Sequence, residues 1–164
     1  MVLPARAVVK PETISLDKVR LRLGLIWLVG CAAILVVVVV QSYLGHFKVP
    51  QGSNLVDDSQ EAWNWLIPTI VPTLGMIVST LGFSALTPDL STAKVRKSFC
   101  SIAMAASAFY LALVSLTVFI QPLLTNADPI SLMHKSNLWL GPLQGLVASI
   151  MGVLFVSTDA KQSA

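Results

Sequence analysis

Charge is scarce in this chain. Aspartate, glutamate, lysine and arginine make up 12% of its 164 residues, about half of the ~25% usual in a soluble domain. In four runs, 23–44, 63–86, 99–124 and 138–157, charge is missing altogether. Proton relays, coupled transporters and voltage sensors ordinarily need an acid or base inside the membrane. Its lack counts against those functions and against general acid–base pairs within the runs. Cysteine is nearly absent as well. Cys31 lies inside the first run and Cys100 near the start of the third. At a rise of ~1.5 Å per residue their depths differ by roughly 10 Å, too far for a bridge whose Cα atoms must lie within about 7 Å. Both read as free thiols packed as small hydrophobes. No small-x-small cleavage site follows the first run, which is too long for a signal-peptide core and reads as an uncleaved span.

What the chain does have is length in those runs. Each holds about 20 residues or more, enough as a helix to cross a hydrocarbon core about 30 Å thick. Even Val36–Val40, strand-like in water, reads as helix, because a lone strand cannot satisfy its backbone in lipid. The expected fold is all-α, an integral membrane four-helix bundle. Residues 1–22 form an N-terminal segment leading into the first span, 23–157 the four-span domain, and 158–164 a tail. The segment reads as loose through residue 14, with Ser15 capping a helix from Leu16 that ends near Gly45. A second helix start falls at Asp58-Ser59-Gln60-Glu61, with Asp58 or Ser59 as cap. The connection 87–98 reads as a turn, and 125–137 as a loop with a short interfacial stretch at Ile130–Met133.

The few charges are unevenly spread. Arg6, Lys10, Lys18, Arg20, Arg22, Lys94, Arg96, Lys97 and Lys161 fall on one side of such a bundle; only Lys48 and Lys135 fall on the other. Basic residues favour the cytoplasmic side, which places both termini in the cytoplasm, with anionic-lipid contact as an added role for the cluster. Nucleic acid is not implied. Trp63, Trp65 and Trp139 fit an aromatic belt at the far interface, and Trp27 falls near the other. Short loops and few cysteines fit a bacterial inner (plasma) membrane.

Small residues recur at helical spacing. They are Pro68, Pro72, Gly75, Ser79 and Gly82 in the second run, Ala105, Ala108 and Ala112 in the third, and Gly141, Gly145 and Gly152 in the fourth. Such faces let helix backbones approach closely. The first expectation is packing within the bundle; an oligomer seam is the alternative. Thr69, Thr73 and Thr80, with Gln144, are candidates to line a path if the protein forms a pore. The two threonines nearest the prolines also suit carbonyls that Pro68 and Pro72 leave without an N–H partner. Gln41, Gln121 and Gln144 share one third of the membrane and suggest interhelical hydrogen bonds. His46, His134, Asp57, Asp58 and Glu61 share a side but lack ligand spacing, so no metal is expected; no cofactor and no enzymatic reaction are expected either. The leading functional expectation is a non-catalytic anchor or assembly subunit of a larger membrane complex. The alternative is a homo-oligomeric pore or membrane-perturbing effector.

Overall fold

The computed structural model describes residues 12–51, 54–86, 94–123 and 129–156. Four helices dominate: α1 (Leu16–Tyr43), α2 (Ser59–Leu86), α3 (Lys97–Ile120, extended by a 3-10 turn at Gln121–Leu123) and α4 (Pro129–Val156). All four are long and apolar enough to cross a membrane. Their outer faces are as apolar as their inner ones: Leu25, Val36, Val78, Ile102, Phe109, Leu116 and Val153 all point away from the bundle. A helix that is apolar all round belongs in a large core or in lipid.

The helices form a ring in the order α1–α2–α4–α3. Gly24 of α1 lies against Leu81 of α2, so these two run antiparallel. Gln41 of α1 bonds Val118 of α3, and Trp65 of α2 bonds Ser136 of α4, so those pairs run parallel. α2 and α3 are therefore diagonal partners, as are α1 and α4. Long polar side chains bridge both diagonals. The Tyr110 hydroxyl of α3 donates to the Thr69 carbonyl of α2 at 2.8 Å. Arg20 of α1 donates through Nε (3.3 Å) and Nη2 (3.2 Å) to the Leu154 carbonyl near the end of α4. There the guanidinium satisfies a carbonyl in the last turn and opposes the negative end of the helix dipole.

Each bundle end is closed by a small antiparallel ladder absent from the sequence expectations. At the basic end β1 (Thr13–Ser15) pairs with β4 (Lys94–Arg96), Ile14 opposite Val95. Residues 13 and 14 are thus tied down rather than loose, and 94–96 are strand rather than turn. Ser15 sits extended at the N-cap of α1, but its side chain makes no capping bond. At the other end Gly45, with φ +71°, terminates α1. Its N–H bonds the Ser42 carbonyl and the His46 N–H bonds the Gln41 carbonyl, a Schellman arrangement that needs the left-handed conformation glycine supplies. Phe47 then turns into the bundle, 1% exposed, and β2 (Lys48–Gln51) pairs with β3 (Asn54–Asp57). At the start of α2 it is the Asp57 carboxylate, and not Asp58 or Ser59 as expected, that accepts a backbone N–H, that of Ser59 at 3.0 Å; bonds from Ser59 hold that carboxyl below its usual range. Ile130–Met133 is no separate interfacial stretch but the first turn of α4.

The core runs along the axis through Leu23, Trp27, Leu66, Ile70, Tyr110, Met133, Leu140 and Met151, all nearly or fully inaccessible. Trp27 belongs here and not at an interface: it stacks on Tyr110 with ring centroids 5.8 Å apart, within the range of favourable aromatic pairs. Trp65 is also core, its indole N–H given to the Ser136 hydroxyl. Trp63 is half-buried and Trp139 exposed.

Candidate functional site: an outward groove between α2 and α4

The small-residue faces do not pack the bundle together. Pro68, Pro72, Gly75, Ser79 and Gly82 of α2, Ala105, Ala108 and Ala112 of α3, and Gly141 and Gly145 of α4 are exposed, and Gly152 is half-buried. A Cβ built on Gly75, Gly82, Gly141, Gly145 or Gly152 would meet nothing within 4 Å. Expected inside, these residues lie outside. The close approaches are made on α1: a Cβ on Gly24 would stand 2.6 Å from Leu81 Cδ1, and one on Gly30 2.8 Å from Leu111 Cδ1. Larger side chains occupy the inward faces, such as Leu66, Ile70 and Ile77 on α2 and Leu140, Val147 and Met151 on α4.

Between α2 and α4 the exposed small residues form a groove of about 370 Å³, walled by Pro72 and Met76 on one side and by Gly141, Gly145 and Ala148 on the other. Two polar side chains line it. Gln144 Nε2 donates 3.1 Å to the Pro68 carbonyl. That carbonyl is the one Pro72 leaves open, because proline four residues on has no N–H to give. The sequence offered the threonines for this task; a glutamine from the neighbouring helix performs it. Thr69 Oγ1 instead bonds its own helix at the Trp65 carbonyl, 2.6 Å away. Thr73 is 2% exposed, and its hydroxyl has no partner among the described residues. The carbonyl one turn back, at Thr69, already accepts Tyr110. Thr80 lies in α2, with its side chain outside the description.

Gln41 and Gln121 are at the far end of α1 and α3, away from the groove. Gln41 Nε2 reaches the Val118 carbonyl at 3.0 Å, while Gln41 Oε1 and both amide atoms of Gln121 are buried without a partner. His134 Nε2 is 3.9 Å from Glu61 Oε2, both side chains well exposed. No group of three metal-ligand side chains gathers among the described residues. Cys31 and Cys100 are both buried free thiols.

Sequence reasoning missed Arg20, Tyr110 and Ser136. A signal for Arg20 was present: it falls on the buried α1 stripe of Leu16, Leu23, Trp27, Ile34, Val38 and Gln41, which keeps the 3.5-residue average of knobs-into-holes packing. The chain matches no protein-family model, and the comparisons with curated proteins and with solved structures found no match.

Proposed function

We propose that this chain is a non-catalytic integral membrane subunit, with both termini cytoplasmic, that assembles side-on with a transmembrane helix of a protein partner in the α2–α4 groove. The observation that carries it is the groove itself. It holds two glycines, Gly141 and Gly145, with open space where a side chain would stand, beside a buried threonine hydroxyl that lacks a partner. Helices in lipid associate chiefly through close backbone approach at small residues, which this face offers. The groove is concave between two helices, so a twofold pairing of groove on groove would leave it unfilled; a convex helix fills it. The nine-to-two split of basic residues supports the orientation. Short connections and unpaired cysteines suit a bacterial inner membrane.

A homo-oligomeric pore is the second reading, and the unpartnered Thr73 hydroxyl is what favours it. Trp27, Tyr110, Leu66 and Met133 fill the axis of the bundle, so any path would have to run between protomers. Two measurements separate the readings. Complexes extracted from native membranes in mild detergent should exceed the protomer mass, and Gly141→Leu with Gly145→Leu should return the chain to protomer while its thermal midpoint holds. Assembly that survives both substitutions overturns the groove. Ion currents from the purified wild-type chain in liposomes, lost in Thr73→Val at unchanged oligomer size, would replace the subunit reading with the pore.

A further inference from the structure

A second concavity lies at the basic end, between the first turns of α1 and α3. Lys18 and Arg22, one helical turn apart, share a face of α1, and Lys97 opens α3 beside them; all three line a cavity of about 190 Å³ together with Ser101. The β1–β4 ladder fixes this geometry. It clamps the residues just before α1 to those just before α3, and the Lys97 N–H adds a bond to the Glu12 carbonyl at 3.1 Å. Below the cations the lining turns apolar, at Val19, Cys100 and Met104. Leu21, Leu25 and Ile102, at the same level, are all more than half exposed.

We infer that this cavity binds the phosphate of an anionic phospholipid, with the upper acyl chain lying over Val19 and Met104. The cations meet the apolar surface where α1 and α3 pass from charged sequence into their uncharged runs. In a spanning helix that is the depth of the lipid phosphates. A soluble phosphate has no use for the apolar floor; a phospholipid uses both halves. Two carboxylates lie close by. Asp17 follows the first residue of α1, and Glu12 holds Lys97 Nζ at 2.8 Å. That pair is solvated on both sides and therefore weak, and an ammonium has three donors to share. Lys18 and Arg22 make no ion pair with another described residue. Basic pockets between membrane helices at the cytoplasmic face are suited to anionic headgroups.

The inference rests on the membrane-spanning reading and the cytoplasmic orientation, but not on the partner groove. It is tested on delipidated full-length protein in neutral detergent, titrated with phosphatidylglycerol, phosphatidylcholine or inorganic phosphate and followed by native mass spectrometry and thermal midpoint. Phosphatidylglycerol should bind saturably and raise the midpoint; the other two should do neither. Lys18→Gln with Arg22→Gln should weaken phosphatidylglycerol about thirtyfold, at the usual strength of basic groups near an anionic surface. Lys48→Gln at the opposite end should leave it unchanged. Equal binding of phosphatidylcholine, saturation by inorganic phosphate, or an unaltered affinity in the double variant each overturns the proposal. None of these outcomes depends on whether a partner helix occupies the α2–α4 groove.

Discussion

The α1–α3 side and the α2–α4 side of this bundle solve the same packing problem differently. On the first, glycines face inward and leucines close on them: Gly24 meets Leu81 of α2, and Gly30 meets Leu111 of α3. Trp27 stacks on Tyr110, and Gln41 bonds across to α3. On the second, bulky side chains face inward and the glycines face out, leaving a groove. One polar bond, Gln144 to the Pro68 carbonyl, crosses it. In lipid, apolar surface gains little by turning inward, so close fit decides which faces meet. On the α1–α3 side α1 spends its glycines on the fold, although the Ala105, Ala108 and Ala112 stripe of α3 stays exposed. The α2–α4 side leaves its glycines open to a neighbour.

Five substitutions test that contrast. Trp27→Ala removes the largest inaccessible side chain and its partner ring contact, and should cost about 3–5 kcal/mol, read as a fall in thermal midpoint in detergent. Gly24→Leu should cost about 1–3 kcal/mol by overpacking against Leu81. The same change at Gly145, where a Cβ meets nothing, should leave the midpoint unmoved and act on assembly alone. A matching loss of stability at both sites would erase the distinction between the sides. Gln144→Leu strands the carbonyl opened by Pro72 and should cost about 0.6–1.7 kcal/mol, the span measured for interhelical bonds in a membrane protein. Thr73→Val keeps the shape of a hydroxyl that has no partner, so the protomer should be as stable or slightly more so, with any loss confined to the assembled complex.

The ladder at the basic end gives the smallest effect, and it depends on pH. The Lys97 side chain, through its hydrogen bond and then its charge, holds the Glu12 carboxyl below the usual range. A depressed carboxyl contributes stability above its unfolded pKa and loses it as pH falls through the folded value. Acidification below about pH 4 should therefore loosen β1 from β4. Hydrogen exchange at the 13–15 amides should report it, while a fully solvated pair leaves the global midpoint unchanged.

Much of this architecture was legible beforehand. Four uncharged runs of spanning length required four helices, because backbone in lipid must be satisfied within the segment. Gly45 as terminator of α1 and the start of α2 near Ser59 followed from local chemistry. The two ladders were not legible. Thr13–Ser15 and Lys94–Arg96 are only three residues each and lie far apart in sequence, and such pairing exists only once the helices bring them together. Pro72 announced an open carbonyl, but nothing in the sequence said that Gln144, and not a threonine on the same helix, would reach it.

The small-residue faces show where the boundary falls. On α3 the period was correct: Ala105, Ala108 and Ala112 repeat at three and four, and so does the buried seam of Cys100, Ala103, Ser107, Tyr110 and Val114. The two stripes differ by about one residue, roughly 100° of rotation. A soluble helix marks its inner face by the contrast of apolar against polar. These helices are apolar on every side, so the sequence by itself determined their number, length and periodicity. Which side turned inward was decided only in the tertiary structure, where Trp27, Tyr110 and the leucines facing Gly24 and Gly30 interlock in one rotation and leave the other glycines outside.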